Sequence, residues 1–248
     1  MSDVWLGALR GPAGFSKLVA VKQLRMVGNA EYDGGAAFLR EARLAALLNH
    51  PNIVHTFEVL AQGGDYRIVM EFLEGQPLNR ILRKNTPISL RDYVRVVADL
   101  LAGLHHAHEL TDFDGSPMRV VHLDVSPQNV FVTWEGMVKL LDFGIASFGR
   151  ATHAEDGLVK GKLSYMAPEQ ARGEPVDRRT DVFAAGSVLF EILAGTPMWG
   201  GMTEAQVVHG LGHGIIPSID DRAPTAPEPL RLIVRKATSA HPRGRFST

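Results

Sequence analysis

The feature that most constrains this chain is a pair of short polar motifs separated by a single predicted β-hairpin. The first motif occupies residues 122–129, and the second is Asp-Phe-Gly at residues 142–144. Between them, the β-like segments 130–132 and 138–141 flank a Glu-Gly turn. So short a connection is expected to hold three polar side chains at one crevice: Asp124, Asn129 and Asp142.

Neither motif is decisive alone, because an isolated Asp-Phe-Gly also describes a strand that ends in an Asx turn. A second constellation lies upstream, where Val-Ala-Val precedes Lys22 on a predicted strand and Glu41 follows on a predicted helix. Taken singly, Lys22 reads as a solvated strand charge and Glu41 as a helix-surface carboxylate. The occurrence of all these residues in one order favours a functional interpretation.

The chain divides into a strand-rich first part and a helical second part. Strands are predicted over residues 4–9, 18–24, 53–59 and 66–72, and a helix over 36–48. Residues 74–77 break this pattern, so we place a lobe boundary there. After the boundary, the periodicity predicts a helix that runs to about His108 and faces the core with one stripe: Val94, Val97, Leu101 and Leu104.

Two later segments complete the predicted organisation. Residues 181–193 are apolar almost all round, which predicts a helix buried inside a lobe, with Gly195 capping its end. The proline-rich stretch 217–229 is followed by a periodic apolar run, so we interpret it as a loop inside the domain.

Further motifs fall in a fixed order: His-Pro-Asn-Ile-Val at 50–54, Ala-Pro-Glu at 167–169, Asp181 and Arg245. With the motifs above, they resemble the protein kinases over essentially the whole chain. The resemblance implies an α+β, two-lobed fold. A small β-rich N-lobe with one helix would occupy residues 1–73, and a larger, mainly helical C-lobe would occupy residues 74–248.

The resemblance also implies a role for each motif residue. Lys22 would grip the α- and β-phosphates of ATP and Glu41 would orient Lys22. Asp124 would accept the proton of the attacking hydroxyl, while Asn129 and Asp142 would hold Mg2+. The adenine site would be formed by Val4, Ala20, the gatekeeper Met70 and the hinge backbone from Glu71 to Leu73. Asp181 would bond the backbone of the loop 122–129, and Arg245 would pair with Glu169.

Ser-Pro-Gln at 126–128 lacks the Ala/Arg signature of tyrosine kinases, and its proline resembles the Ser/Thr pattern. Val-Ser-Pro-Gln-Asn at 125–129 and Gly-Lys-Leu-Ser-Tyr-Met at 161–166 resemble one bacterial Hanks-type branch. This implies an ATP-dependent kinase acting on Ser/Thr hydroxyls of proteins in bacterial signalling, with a cytoplasmic location. The alternative is a pseudokinase scaffold that binds partners, and possibly nucleotide, without phosphoryl transfer. A small-molecule kinase is disfavoured by the Ala-Pro-Glu motif and Arg245.

Several positions depart from the family pattern. Leu123 replaces an arginine that usually bonds a phosphorylated activation loop, so such activation is expected to be weak. Thr152 is a possible phosphorylation site, and the alternative is an ordinary exposed loop threonine. Ser126 replaces a lysine, and Lys162 replaces a threonine. Compared with the family pattern, the first strand, most of the glycine-rich loop and the last helix of the kinase fold are expected to be missing from this sequence. Their loss would weaken nucleotide binding.

Composition excludes other classes of function. The formal net charge is −1, from 26 basic and 27 acidic residues, so no nucleic-acid or anionic-membrane surface is indicated. The sequence contains no cysteine. Its first residues do not resemble a signal peptide, and its longest apolar run is expected to be too short to span a membrane. The cluster His105-His106-His108 is interpreted as packing rather than a zinc site, and the oligomeric state stays open.

Overall fold

The N-lobe is an antiparallel sheet. A computed structural model of the protein describes residues 2–24, 44, 47–62, 65–84, 88–142 and 163–248. Strands β1 (Ser2–Arg10), β2 (Ser16–Leu24), β3 (Thr56–Gln62) and β4 (Asp65–Glu71) form the sheet in the order β1-β2-β4-β3. The strands predicted over 4–9, 18–24 and 66–72 are confirmed to within a residue or two, and a 3-10 turn at Pro12–Gly14 joins the first two. Most of the predicted helix 36–48, with Glu41, lies outside the described residues.

One predicted strand begins later than the sequence suggested. Residues 53–55 precede β3, and Ile53 instead makes an isolated parallel bridge to Leu140 in the other lobe. The amide of Val54 donates to the carbonyl of Leu140 at 3.0 Å, and the amide of Leu140 donates to Asn52 at 2.8 Å. Because these backbone groups are satisfied by the C-lobe, the segment joins the two lobes rather than extending the sheet.

The C-lobe starts with a short sheet. Strands β5 (Gly75–Pro77), β6 (Val130–Thr133) and β7 (Val138–Leu140) lie in that order, so the predicted break at 74–77 is itself a strand. A Cβ at position 75 would lie 2.2 Å from the carbonyl oxygen of Val132. Only glycine permits so close an approach. The predicted hairpin of β6 and β7 is confirmed.

Helices form the rest of the C-lobe. They are α1 (Leu78–Arg83), α2 (Leu90–His108), α3 (Pro168–Ala171), α4 (Arg178–Ala194), α5 (Glu204–His213), α6 (Ile219–Arg222) and α7 (Glu228–Ala237). Helix α6 lies inside the stretch predicted as a loop. Among the described residues, none of the helices is apolar over a length that would cross a membrane.

The predicted stripe on α2 is partly wrong. Val97 and Leu104 are buried as expected, but Val94 and Leu101 are exposed and Leu100 is fully buried. The sequence offers two overlapping stripes at helical spacing, and packing of α2 against α4 and β7 selects the one centred on Leu100. Periodicity alone therefore could not choose between them.

Helix α4 is the centre of the C-lobe, as predicted. Residues 180–190 are all buried, and two apolar clusters meet on this helix. Asp177 caps the first turn by accepting from the amide of Arg179 at 2.8 Å. Gly195 ends the helix in the left-handed conformation with φ of 69°. A rigid, buried α4 gives the functional residues around it a fixed base.

Candidate active site

One face of the N-lobe sheet carries the residues predicted to contact nucleotide. The strand register places Val4 opposite Lys22 and Ala20 opposite Met70. Residues directly opposite one another in an antiparallel sheet point to the same side. Lys22 is buried, and its Nζ reaches across to Oδ1 of Asp142 at 2.8 Å. This face therefore looks onto the cleft between the lobes.

The opposite wall of the cleft brings together the three polar side chains expected at one crevice. Asn129 donates from Nδ2 to the carbonyl oxygen of Asp124 at 2.8 Å and to its carboxylate at 3.0 Å. The amide of Leu141 donates to the carbonyl of Asn129 at 2.8 Å, which places Asp142 beside them. Asp142 has φ of 47°, a left-handed conformation that aspartate tolerates better than most residues.

A buried aspartate on α4 supports this loop from below. Asp181 accepts from the amides of His122 at 2.8 Å and Leu123 at 2.9 Å, as the sequence predicted. His108, at the end of α2, adds a third bond through Nε2 at 2.8 Å. The predicted role of Asp181 is confirmed, whereas the contribution of His108 was missed because its histidine cluster was interpreted only as packing.

The two other histidines of this cluster, His105 and His106, make contacts of their own. His105 bonds Thr248, and His106 stacks on His50 with ring centroids 4.9 Å apart. Burial, with the nearby His106 and Lys139, lowers the pKa of His50, and its Nδ1 accepts from the amide of Asn52 at 3.1 Å. Within the described part of the chain, no three His, Asp or Glu side chains cluster as metal ligands do.

The hinge region is tied to the C-lobe by a lysine that the sequence analysis missed. Met70 is buried at the end of β4, and residues 72–74, which include Leu73, connect to β5. The Glu71 carboxylate accepts from Lys139 at 2.6 Å and from the amide of His55 at 2.8 Å. A lysine inside the short buried strand β7 was the available signal, because a buried cation needs a partner.

The predicted pair of Glu169 and Arg245 is confirmed. Arg245 donates to both carboxylate oxygens, at 2.6 and 2.8 Å, and Thr180 adds a bond at 2.8 Å. Burial alone would raise the pKa of Glu169, but the hydrogen bonds and charge of Arg245, with the bond from Thr180, lower it below the ordinary value. The pair joins α3 to the C-terminal segment, and the bond from Thr180 joins α3 to α4.

The donor set fits a magnesium ion that also contacts phosphates. Once Nδ2 of Asn129 is engaged with Asp124, its amide oxygen is the remaining acceptor, and Asp142 offers a carboxylate oxygen beyond the one bonded to Lys22. Mg2+ is commonly held by one or two such oxygens plus phosphates and water. Phe143, Gly144, Thr152 and Lys162 lie outside the described residues.

A β-sheet lobe and a helical lobe, with a lysine on one side of the cleft and Asp, Asn and Asp on the other, form the architecture of the protein kinases. The chain belongs to this family, since the family model described as "Protein kinase domain" matches residues 13–247. The solved kinase domain of Mycobacterium tuberculosis PknI, in a cysteine-to-alanine mutant form, is similar to all of this chain. The TM-score is 0.72, with 25% identity and 86% of that chain covered.

Two curated relatives are also similar. Tyrosine-protein kinase MasK of Myxococcus xanthus is 40% identical over 253 residues, covering 100% of this chain and 39% of MasK. Serine/threonine-protein kinase PrkC of Bacillus subtilis is 31% identical over 231 residues, covering 93% of this chain and 34% of PrkC. This chain therefore spans well under half the length of these relatives.

Proposed function

We propose that this chain is the catalytic part of a bacterial protein kinase that transfers the γ-phosphate of ATP to serine or threonine hydroxyls of proteins. The main support is the arrangement of side chains in the cleft. Asn129 donates a hydrogen bond to the carboxylate of Asp124, and Lys22 donates one to Asp142. In this kinase the N-lobe would end at residue 73 and the C-lobe would begin at residue 74. Use of ATP as donor agrees with a cytoplasmic reaction.

Each polar side chain has a proposed part in the transfer. The substrate hydroxyl oxygen forms a bond to the γ-phosphorus while the bond to the β-phosphate oxygen breaks, and the hydroxyl proton passes to the carboxylate of Asp124. Asn129 orients that carboxylate through its bond of 3.0 Å. Lys22 neutralises phosphate charge, and it can do so once its bond to Asp142 is exchanged.

Asn129 and Asp142 would hold Mg2+, which would neutralise phosphate charge when bound. On the N-lobe side, Val4, Ala20 and Met70 form an apolar surface for adenine. The backbone from Glu71 to Leu73 supplies the proposed hydrogen-bonding groups of the hinge. The bond between Glu71 and Lys139 fixes the start of this segment against β7. Glu41, outside the described residues, is proposed to orient Lys22.

Tyrosine transfer is a second candidate, because MasK, at 40% identity, is named a tyrosine-protein kinase. PrkC, at 31% identity, is named a serine/threonine-protein kinase. The Ser-Pro-Gln motif at residues 126–128 supports transfer to serine or threonine. The two specificities differ in the length of the side chain that must reach Asp124, so the phosphorylated residue itself decides between them.

The test is magnesium-dependent incorporation of γ-phosphate from labelled ATP into a generic protein substrate, followed by phosphoamino-acid analysis. We expect phosphoserine and phosphothreonine, and we expect the signal to fall by about a hundredfold or more in Asp142→Asn. Phosphotyrosine alone would establish the second candidate. ATP binding without transfer by the unaltered chain would favour a pseudokinase and contradict the proposal.

A further inference from the structure

The residue before Asp124 is held in an unfavourable backbone conformation. Leu123 has φ of 65°, in the left-handed region that costs a branched side chain about 1–2 kcal/mol. Such a conformation persists only where surrounding groups fix it. The direction in which Asp124 projects depends on this backbone, so the groups that hold Leu123 also set the position of the proposed base.

The amide and the carbonyl of Leu123 are held by different side chains. Asp181 accepts from its amide at 2.9 Å, and Gln170 donates from Nε2 to its carbonyl oxygen at 3.0 Å. The same side chain of Gln170 accepts, through Oε1, from the amide of Ala167 at 3.1 Å. One side-chain amide therefore bridges the backbone before α3 and the backbone before Asp124.

The helix that carries Gln170 is firmly anchored. Its neighbour Glu169 is buried, with both carboxylate oxygens bonded to Arg245 and one also bonded to Thr180. A buried bidentate pair of this kind resists displacement. The contacts of Glu169 with α4 and with the C-terminal segment therefore fix the position of Gln170, and Gln170 in turn fixes that of Leu123.

We propose that Gln170 is a positioning residue for Asp124, an inference that rests on the proposed function. Its amide fixes the left-handed backbone at Leu123 and couples the Ala-Pro-Glu segment to the loop 122–129. Both bonds are made by an uncharged amide to backbone groups, so this coupling needs no phosphate or other charged group. It operates in a chain where position 123 is aliphatic and offers no cation to an activation-loop phosphate.

The test compares two isosteric substitutions. In Gln170→Glu, one oxygen still accepts from Ala167, but the other faces the carbonyl of Leu123 without a proton to donate. The matched control is Gln206→Glu, because Gln206 accepts from the amide of Thr203 at 2.8 Å at the start of α5, far from the loop 122–129 in sequence. Measurements are kcat at saturating ATP, the Kd for ATP, and hydrogen exchange of peptides covering residues 120–126.

We expect Gln170→Glu to lower kcat about tenfold or more, the scale of one lost hydrogen bond with its acceptor left facing another acceptor. The Kd for ATP should stay within about twofold, and the loop 122–129 should exchange faster. Gln206→Glu should change none of the three. An unchanged kcat in Gln170→Glu, or an equal loss in both variants, would overturn the inference.

Failure of the proposed function is distinguishable from failure of this inference. If the unaltered chain transfers no phosphate, the proposed function fails and hydrogen exchange becomes the deciding measurement. Faster exchange at residues 120–126 in Gln170→Glu, but not in Gln206→Glu, would then still support the bridge to Leu123. Equal exchange in the two variants would overturn it.

Discussion

Two salt bridges differ in how far water reaches their carboxylates. One joins Glu169 to Arg245 at the base of the C-lobe, and the other joins Asp142 to Lys22 in the cleft. The side chains of Arg245 and Glu169 are 0% and 2% exposed, and both carboxylate oxygens accept from the guanidinium. The side chain of Asp142 is 45% exposed, and its Oδ1 accepts from Lys22.

Burial decides what each pair can do. Breaking a fully buried pair leaves an unpaired charge where water cannot solvate it, so the C-lobe pair acts as a fixed joint. Water and other ions can replace Lys22 as the partner of a half-exposed carboxylate. The cleft pair can therefore exchange partners, which the proposed binding of nucleotide and metal requires. The comparison separates a pair that holds the fold from a pair whose partners can be exchanged.

Removal of the cation from the buried pair should give the largest effect. Arg245→Met should lower the free energy of unfolding by about 3–5 kcal/mol, because Glu169 is left buried without its partner. Urea denaturation measures this. The control is Arg178→Met, which removes a partly exposed pair with Glu109 and should cost less than about 1 kcal/mol. Equal losses in the two variants would show that burial does not separate the pairs.

Neutralisation of the open carboxylate should affect activity rather than stability. Asp142→Asn should lower phosphate transfer by about a hundredfold to a thousandfold, as expected when a group that stabilises transition-state charge is lost. Its free energy of unfolding should change by less than about 1 kcal/mol, because the side chain of Asp142 is 45% exposed and asparagine keeps an oxygen that can accept from Lys22. Paired assays of activity and urea denaturation test both parts. A large loss of stability would show that Asp142, like Glu169, holds the fold, and would contradict the distinction between the two pairs.

The pair of Glu71 with Lys139 should lie between these extremes. Lys139→Met should cost about 1–3 kcal/mol, because the Glu71 carboxylate, which is 22% exposed, retains the amide of His55 but loses its cation. The measurement is again urea denaturation. A matched Glu71→Gln variant should recover part of the loss when combined with Lys139→Met. No recovery in the double variant would mean that the two side chains act independently.

The smallest effect should be a change with pH in the stability that the pair of Glu169 and Arg245 contributes. The pKa of Glu169 lies below its ordinary value of 4.5, so its contribution to stability is full above that pH and is lost as pH falls through the lowered pKa. In Arg245→Met burial raises the pKa of Glu169, so protonation relieves the unpaired carboxylate, and in the unaltered chain it removes the contribution of the ion pair; the stability gap between the two should therefore narrow as pH falls towards and below 4.5. Urea denaturation across acidic pH tests this, and a constant gap would contradict it.

The sequence predicted contacts where a motif fixes both partners. Asp181 and Arg245 were assigned their partners correctly because those partners lie inside recognisable motifs. The bonds from Lys139 to Glu71 and from Gln170 to Leu123 were not predicted, since they join residues 68 and 47 positions apart with no pattern relating them. The buried face of α2 also depended on packing against α4 rather than on its own periodicity.

Gly75 bears on the mechanics of lobe closure. Because β5 lies so close to β6 at this residue, the chain leaving the N-lobe is clamped directly to the hairpin that begins beside Asn129. Residues 72–74 are all that separates β4 from β5, so they form a short pivot. Rotation of the N-lobe sheet would therefore be transmitted to the Asn129 side of the cleft through this pivot and through the backbone bonds that tie residues 52–54 to Leu140. The axis of closure is thus expected to pass near Gly75.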